Sequence, residues 1–509
     1  MFFSALAVRL YFLRFYAVIS ADGISYIDIA KQFIAGNGLA SATHYPPFYP
    51  ILVGLASVVT KDFETAGLAV SILMGSLVVV PVFLLGVEFF DKKTGYLAAL
   101  LTVTWPSILL WSINVMSQAT YITLLLFGVY FLRRAHKKEA FLPAIFAGLC
   151  FGCANLTRSE GILVFFAVTA VLLAFTFINR MPARSLGYVV ISWGVFLAVF
   201  FPYLILLHDT TGKWQLTGKS RITIADALSE YLKKPDIKHD PSFREMGYLD
   251  LFRFYPEYIR TNYLHNLKRC WNEMLPFFGW ILAAAGFLAG DWRRERLLER
   301  AYLLATFAPL AVIIIFFFIG PEYTQPYLPV LFLWICSGLF LVAAVAERGV
   351  DSISGRSPER YFWCVPVLLV LIFGAWNVVK SIPADHSKPY EFSRDGGRFD
   401  DKRIGLRLKK LLPENAAIMT RSGRIGFYSG LRYSMPPQAS YAEIIAYAKK
   451  NKIDYLIATP QLYAIRPPLQ FLFAPLLEPE RQFTPPPELE LVHIGQEPGG
   501  ASFLIYRFR

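Results

Sequence analysis

Two carboxylates, Asp22 and Asp28, follow the first apolar stretch of the chain, in the sequence "ISADGISYIDIAKQF" at residues 19–33. A carboxylate beside a hydroxyl or an amine can take its proton and so act as a general base. Asp22 has a second interpretation, as the N-cap of a helix that starts at Gly23. Asp28 lies further along the same helix and does not share the face of Asp22. We therefore expect Asp22 to be the candidate base and Asp28 to belong to the polar face. Asp28 stays a substrate-binding candidate as well, because folding of the loop would bring the two carboxylates together.

A second set of residues could bind a phosphate. Arg158 and Glu160 stand in "LTRSEG", and Lys219 and Arg221 stand in "LTGKSR". Guanidinium and ammonium groups stabilise phosphate charge through charge-assisted hydrogen bonds. Each has a structural alternative, because Arg158 and Glu160 could form an ion pair that closes a tight turn, and a loop lysine is usually solvated. The sequence leaves both interpretations open.

His44 and Tyr45 begin the motif "HYPPFYP" and could contact a sugar, although a histidine packed on proline and tyrosine is the simpler interpretation. The prolines block a helix and then release an apolar stretch that is too short to cross a membrane. We expect a second surface helix at about 51–59, after a first one that follows Asp22 and ends at glycines.

The elements that would position these residues are membrane helices. The chain has 509 residues, of which 55% are hydrophobic and 17% are charged, unlike an average soluble domain. Its apolar runs approach the roughly 20 residues that cross a bilayer. Predicted spans lie near residues 1–20, 66–90, 96–113, 119–132, 139–156, 161–178, 186–207, 272–290, 301–319, 327–345 and 361–381.

Basic residues are concentrated in alternate loops between these spans, such as "DKKTG", "RRAHKK" and "DWRRERLLER". Short loops rich in Lys and Arg stay on the cytoplasmic side, so the pattern predicts a cytoplasmic N-terminus and an outer C-terminal tail. The net charge of +13 then follows mainly from membrane topology. It does not indicate nucleic-acid binding.

Three regions are predicted to lie outside the bilayer. Two are the loops at 21–65 and 208–271, and the third is the tail at 383–509, where charges and prolines replace the apolar runs. The tail shows alternating helix and strand patterns, which predict a small α/β domain. Its segment "RSGRIGFYSG" has glycines but lacks the spacing and the lysine of a phosphate-binding loop, so we interpret it as a turn. The domain limits are therefore 1–382 and 383–509.

The order of these features resembles a known family. The chain is similar to the GT-C superfamily in the order of its parts. These are one span, then "ADGISYIDIA" and "YPPFYPILVG", many short-looped spans with "LTRSEG", a large outer loop with "LTGKS", and a compact outer tail. The similarity is to the bacterial branch of aminoarabinose transferases and enzymes like protein O-mannosyltransferases. It implies a polytopic α-helical membrane protein with about 11 to 13 transmembrane helices and a small extracytoplasmic α/β domain.

The resemblance also implies an activity. Such enzymes take a sugar from a polyprenyl-phosphate carrier and give it to an acceptor, here a protein, lipid A, or another envelope glycan or lipid. Asp22 matches the family's acidic residue beside the transferred sugar, which favours an inverting transfer. The implied location is the bacterial inner membrane, with a periplasmic tail, membrane lipids and the lipid-linked donor as partners, no nucleic acid, and a monomeric protein.

Two positions depart from the family pattern. Relatives often have an acid at the outer start of the fourth span, whereas this chain has Ser117 and Gln118. Because hard cations prefer anionic oxygens, the sequence disfavours a divalent cation and defines no metal site. Relatives also often have Arg-Tyr before the tenth span, where this chain has Glu322 and Tyr323. We therefore expect Lys219 and Arg158 to take over the phosphate contact.

Two other classes of function compete with this one. A transporter or flippase of a lipid-linked substrate predicts ionisable or broken helices at mid-membrane and an internal repeat, and no repeat is evident. A non-catalytic membrane scaffold would leave the acidic first loop without a purpose. The glycosyltransferase is therefore the leading hypothesis.

Overall fold

The computed structural model describes residues 1–178, 184–218, 220–233, 243, 246–290, 292–317, 320–354, 364–383, 398–477, 483–496 and 502–509. Contacts divide the chain into two compact units. The first contains Met1–Arg14 and Ser25–Ala384, and the second contains Phe15–Ile24 and Asp385–Arg509. The division near residue 384 lies close to the predicted limit at 382. Residues 15–24, however, belong to the C-terminal unit rather than to the membrane domain.

The first unit is helical throughout its described residues. Its first helices are Phe2–Leu13 (α1), Ala21–Ile34 (α2), Phe48–Thr60 (α3), Phe63–Leu77 (α4), Val79–Phe89 (α5), Lys92–Thr104 (α6), Pro106–Ser112 (α7), Gln118–Lys138 (α8), Phe141–Asn155 (α9), Gly161–Ile178 (α10), Arg184–Thr211 (α11) and Ser220–Tyr231 (α12). The later helices are Tyr248–Phe254 (α13), Pro256–Met274 (α14), Phe277–Leu288 (α15), Arg294–Leu304 (α16), Ala308–Phe316 (α17), Pro321–Thr324 (α18), Leu328–Ser354 (α19) and Cys364–Lys380 (α20).

Several of these helices are suited to a bilayer. In the described part of the chain, five helical stretches are long and apolar enough to cross a membrane: Phe63–Phe89, Gly161–Ile178, Leu186–Thr211, Arg294–Phe316 and Glu322–Arg348. A sixth span forms if α6 and α7, which meet at 59°, are counted together. A multi-span helical protein is thus confirmed, while the number of 11 to 13 spans stays a prediction.

The bend between α6 and α7 has a local cause. Pro106 is the first residue of α7, and Trp105 before it is extended, with ψ 122°. Proline lacks the amide hydrogen that a continuing helix needs and forces the preceding residue out of helical geometry. The predicted single span at 96–113 is therefore two short helices.

The first predicted span also ends early. Helix α1 stops at Leu13, and the prediction of a span to residue 20 is wrong. Arg9 lies fully buried in this helix, where its Nε donates to Ser112 Oγ at 2.8 Å and one terminal nitrogen donates to the Ala5 carbonyl at 3.1 Å. One hydrogen bond to α7 and one within α1 thus help to accommodate an arginine that would be costly in lipid.

Short aspartate caps start two of the helices that follow. Asp62 accepts a hydrogen bond from the Thr65 amide before α4, and Asp91 accepts one from the Thr94 amide before α6. Each cap satisfies one of the amides left open at a helix N-terminus. Helix α3 begins at Phe48, three residues earlier than the predicted surface helix, because prolines are tolerated in a first turn.

Glycines allow the later helices to pack closely. A β-carbon built on Gly286 of α15 would lie 1.9 Å from the Trp334 carbonyl oxygen, and one on Gly338 of α19 would lie 2.1 Å from the Leu282 oxygen. Only a residue without a side chain fits at either point. Small residues at helix interfaces let backbones approach in this way in membrane proteins.

The C-terminal unit holds a five-stranded sheet. Its strands are Ala417–Thr420 (β1), Arg432–Ser434 (β2), Tyr455–Ala458 (β3), Leu489–Gln496 (β4) and Ser502–Phe508 (β5), in the order β2-β1-β3-β5-β4. Strands β1, β2 and β3 are parallel, and β5 runs antiparallel to β3 and β4. Its helices are Arg398–Leu411 (α21), Gly423–Ser429 (α22), Tyr441–Lys450 (α23), Pro460–Ile465 (α24) and Ala474–Leu477 (α25). The predicted small α/β domain is confirmed.

One segment of this unit differs from its prediction. "RSGRIGFYSG" forms helix α22 rather than a turn, and Gly430 ends it in the left-handed conformation, with φ 71°. Ile425 of this helix is fully buried, together with Ile404 and Leu408 of α21. Burial of apolar side chains, worth roughly 1.5–3 kcal/mol each, stabilises a helix that the glycine-rich sequence does not suggest.

Candidate functional site

Asp22 lies in the first turn of α2, but it does not cap the helix. The hydroxyl of Ser20 accepts the hydrogen bond from the Gly23 amide at 2.9 Å, and the helix starts at Ala21. The capping interpretation of Asp22 is therefore wrong, because Ser20 fills that role. An acidic side chain in the first helical turn is favoured by the helix dipole.

Asp28 lies on another side of the same helix and is exposed. Tyr26, four residues after Asp22, is on the helix face that Asp22 occupies, because residues four apart are neighbours on a helix. Tyr26 is buried, at 5% exposure, and its hydroxyl is 3.0 Å from Ser117 Oγ at the start of α8. The helix thus turns Tyr26, and not Asp28, towards the interior of the first unit.

Arg158 and Glu160 form an ion pair in the tight turn between α9 and α10. The distance from Arg158 Nη2 to Glu160 Oε1 is 2.9 Å, and both side chains are largely shielded from solvent. The Arg158 guanidinium also lies 5.2 Å from the ring centre of Tyr323 and 5.8 Å from that of Tyr121. Aromatic faces attract cations at these distances. The turn therefore holds one cation, Arg158, between one carboxylate and two aromatic rings.

Arg158 remains protonated and positively charged. Burial lowers the pKa of Arg158, but Glu160, Tyr323 and Tyr26 act in the opposite direction, and the net pKa lies above the ordinary value for arginine. Arginine is protonated at every physiological pH in any case. A guanidinium has five N–H donors, so one bond to Glu160 leaves it able to donate to a second anion as well. A phosphate oxygen is the natural partner for such a group.

A chain of aromatic rings extends from this region. The ring centres of Tyr26 and Tyr45 are 5.0 Å apart, those of Tyr26 and Tyr49 are 5.1 Å apart, and those of His44 and Tyr45 are 4.6 Å apart, all with edge-to-face geometry. Tyr49 is anchored by hydrogen bonds from its hydroxyl to the Gly67 carbonyl and to Ser71. His44 and Tyr45 are thus held beside α2 by ring contacts.

The second outer loop reaches the same place through Gly218. A β-carbon on Gly218 would lie 2.0 Å from the Thr43 carbonyl oxygen, so the glycine of "LTGKS" packs directly against the backbone next to His44. Lys219 lies outside the described residues. Arg221 belongs to α12 by its backbone, and its side chain is not among those described.

Several buried polar groups of α8 and of the segment before α19 have no hydrogen bond in the described part of the chain. They are the Tyr121 hydroxyl, the Gln118 amide oxygen, the Thr120 hydroxyl and both side-chain polar atoms of Gln325. Gln118 and Gln325 are 2% and 1% exposed. An unsatisfied buried polar group costs about 1–3 kcal/mol, which a polar ligand can recover. These groups indicate a site that is completed by a bound molecule.

The same residues do not suit a divalent cation. The Ser117 hydroxyl is bonded to Tyr26, and the Gln118 amide is neutral, whereas Mg²⁺ and Ca²⁺ prefer carboxylate oxygens. In the residues that the structure describes, no cluster of three or more His, Cys, Asp or Glu side chains could hold a metal. We derive no step that passes through a metal.

Sequence reasoning missed the tyrosines. Tyr26, Tyr49 and Tyr121 were not among the candidates, although the spacing of four from Asp22 could have pointed to Tyr26. Tyr323 was noted only as part of a departure from the family pattern. Its ring centre lies 5.2 Å from the Arg158 guanidinium.

Comparisons with known proteins place this geometry in context. Residues 44–206 match the family of dolichyl-phosphate-mannose-protein mannosyltransferases. The matched region includes His44, Tyr45, Arg158 and Glu160. No curated protein sequence matches the chain.

Two solved structures share the fold. The first is ArnT from Cupriavidus metallidurans bound to undecaprenyl phosphate, with 14% identity, a TM-score of 0.56, and coverage of 99% of this chain and 96% of that one. The second is the oligosaccharyltransferase AglB from Archaeoglobus fulgidus with an inhibitory peptide and a dolichol-phosphate, with 15% identity, a TM-score of 0.55, and coverage of 90% and 69%. These structures show the fold that the predicted resemblance to the GT-C superfamily implies, and the family match over residues 44–206 agrees with that resemblance.

Proposed function

We propose that this protein is a membrane glycosyltransferase that moves a sugar from a polyprenyl-phosphate carrier to an acceptor hydroxyl or amine. The observation that carries the proposal is the Arg158 cluster. A permanently charged guanidinium is paired with Glu160 and flanked by the rings of Tyr323 and Tyr121, and the buried hydroxyl of Tyr121 has no hydrogen-bond partner. A phosphate with an attached sugar supplies both the anion and the hydroxyls that such a site requires.

In the proposed reaction, Asp22 accepts a proton from the acceptor. As the acceptor attacks the anomeric carbon of the sugar, Asp22 takes the proton from the attacking oxygen or nitrogen. The bond between the anomeric carbon and the phosphate oxygen breaks, and the polyprenyl phosphate leaves with the electron pair. Attack opposite the leaving group inverts the configuration at that carbon.

Arg158 is proposed to act on the leaving phosphate. A phosphate is a good leaving group and needs charge stabilisation more than protonation. A guanidinium held in place by Glu160 provides this without reorganising during the reaction. Lys219 and Arg221 are proposed to add positive charge from the second outer loop.

The finer features of the proposal concern setting and partners. We place the enzyme in a bacterial inner membrane, with the N-terminus cytoplasmic and the C-terminal domain on the outer side, as the distribution of Lys and Arg favours. The partners are the lipid-linked donor and an envelope acceptor, and the protein works as a monomer. His44 and Tyr45 are proposed to contact the sugar.

The first test replaces Asp22 by Asn and uses Asp28→Asn as the matched control on the same helix. Loss of a general base lowers turnover by about 10²–10⁴-fold, so Asp22→Asn should abolish most transfer while expression and membrane insertion stay normal. Asp28→Asn should leave transfer within a few-fold of the parent. Unchanged transfer by Asp22→Asn would remove the catalytic assignment.

Donor and acceptor are identified by mass spectrometry of envelope glycans, glycoproteins and polyprenyl-linked sugars, in cells with and without the protein. A transferase leads to accumulation of one polyprenyl-phosphate sugar and loss of one glycoform when it is removed. If neither changes, the protein is a scaffold and the proposal is wrong.

A further inference from the structure

The segment 15–24, which carries Asp22, is built into the C-terminal domain. Phe15, Ala17, Val18 and Ile19 are each at most 5% exposed, and Ile19 is completely buried. These residues connect α1 to α2 and are not helical up to Ser20, so their backbone groups need hydrogen-bond partners from elsewhere in the protein.

Three side chains of the C-terminal domain provide those partners. The Ile19 amide donates to the Tyr428 hydroxyl at 2.9 Å, and Arg424 Nε donates to the Ile19 carbonyl at 2.8 Å. Lys402 Nζ donates to the Ala17 carbonyl at 2.7 Å. Both backbone groups of Ile19 are thereby bonded to one short helix, α22, which contains Arg424 and Tyr428.

The three side chains are themselves held in place. Lys402 lies 4.9 Å from the centre of the Tyr428 ring, a distance at which a cation and an aromatic face attract each other. The Arg424 guanidinium lies 3.9 Å from the carboxylate of Asp401, which also accepts a hydrogen bond of 2.5 Å from Ser422. Asp401 and Arg424 are 4% and 7% exposed, so this network is sheltered from solvent.

Fixing Ile19 fixes the start of α2. Ser20 caps the helix, Ala21 begins it, and Asp22 lies three residues after Ile19, a reach of about 10 Å at most. A displacement of about 1 Å at a reacting group can cost 10²-fold in rate. The hydrogen bonds at Ile19 therefore fix the start of α2, and with it the position of the Asp22 carboxylate.

We propose that Arg424 and Tyr428 are positioning residues for Asp22, and that the C-terminal domain serves the transfer reaction by holding the 15–24 segment in its active conformation. This inference rests on the proposed role of Asp22 as the base. It gives the C-terminal domain a task in turnover.

The test uses two conservative variants of the full-length protein, each with a matched control in the same domain. Tyr428→Phe removes the hydroxyl that accepts from Ile19, and Arg424→Gln removes the guanidinium. Tyr506→Phe and Arg466→Gln are the controls, because the Tyr506 hydroxyl donates to the Leu472 carbonyl and Arg466 donates to the carbonyls of Pro436 and Pro437.

Two measurements are made on all four variants in the membrane or in detergent. Hydrogen exchange should become faster at residues 15–24 in Tyr428→Phe and Arg424→Gln. Their kcat should fall by about 10- to 100-fold, with KM for the lipid donor unchanged, because donor binding does not depend on Asp22. The two controls should change neither quantity beyond about twofold.

A double variant separates positioning from general stability. In the Asp22→Asn background, Tyr428→Phe should change the residual turnover by less than about twofold, since there is no longer a base to position. Faster exchange at 15–24 with unchanged kcat would overturn the positioning role. Equal loss of kcat in the controls would overturn it as well. If Asp22→Asn itself keeps full activity, the proposed base fails, whereas the exchange data still report whether α22 holds the segment.

Discussion

At the scale of single residues, the proposed chemistry rests on one acidic side chain, Asp22, and one cation, Arg158, which belong to different compact units. Asp22 is released from helix capping by Ser20, and Arg158 is held by Glu160 between two tyrosine rings. Neither arrangement needs a second acid at the start of α8, where Ser117 instead bonds to Tyr26. Charge on the phosphate side is then balanced by arginine rather than by a cation held between carboxylates.

Replacing Arg158 by Gln tests whether this arginine stabilises the charge of the leaving phosphate. The variant should lose about 10²–10³-fold in kcat/KM for the lipid-linked donor, because the leaving phosphate loses a charged donor in a shielded site. Steady-state transfer with purified polyprenyl-phosphate sugar measures it. Arg269→Gln is the control, since Arg269 forms an equally shielded ion pair, with Glu273 at 2.7 Å.

The control Arg269→Gln should keep kcat/KM for the lipid-linked donor within a few-fold of the parent value. If Arg158→Gln behaves like Arg269→Gln, the Arg158–Glu160 pair only closes the turn between α9 and α10. The phosphate would then have to be bound by other cations, such as Lys219.

At the scale of elements, glycines and prolines decide how the helices of the first unit meet. Pro106 divides a predicted span into α6 and α7, and Gly286 and Gly338 bring α15 and α19 into backbone contact. In a bilayer, close packing of this kind replaces the hydrophobic driving force that water provides in soluble proteins.

Gly286→Ala should therefore destabilise the protein. Its new methyl group would overlap the Trp334 carbonyl, and overpacking of this kind typically costs about 1–3 kcal/mol. Thermal unfolding in detergent should show a lower Tm. Gly194→Ala in α11 is the control, because no atom lies within 4 Å of a β-carbon at that position.

Gly194→Ala should leave Tm unchanged or raise it slightly, since alanine is the better helix former. Equal Tm values for the two variants would mean that α15 and α19 can separate without cost. The glycine contact would then have no structural importance.

At the scale of the whole molecule, the two compact units are not consecutive in sequence. The C-terminal unit includes residues 15–24, so the chain leaves the first unit after α1 and returns to it within α2. Residues 15–24 are therefore bonded to a part of the chain that follows much later in the sequence, since Ile19 and Tyr428 are 409 positions apart.

Ending the chain after residue 384 should produce a membrane protein without transfer activity. The spans insert according to their own hydrophobicity and flanking charges, whereas residues 15–24 lose the side chains that bond their backbone. Membrane fractionation measures insertion, and transfer to a short acceptor analogue measures activity. Normal transfer by the shortened chain would show that the 15–24 segment holds its conformation without the domain.

Much of this organisation could be predicted from local sequence. Long apolar runs determine membrane helices by themselves, because a bilayer accepts little else, and α10 lies where the predicted span at 161–178 does. The strands at 417–420 and 455–458 were likewise evident, since short β-branched and apolar runs flanked by charges are typical of buried strands. The candidates Asp22, Arg158 and Glu160 came from motifs only a few residues long.

What the sequence could not decide depends on contacts between distant residues. Nothing local places Tyr323 under Arg158 or turns "RSGRIGFYSG" into a helix that bonds Ile19. Each outcome follows from burial and hydrogen bonds that exist only after the chain has folded, and their free energies outweigh local propensity. Composition and short motifs thus determined the class of protein, and tertiary structure decided which side chains share a site and what holds Asp22 in position.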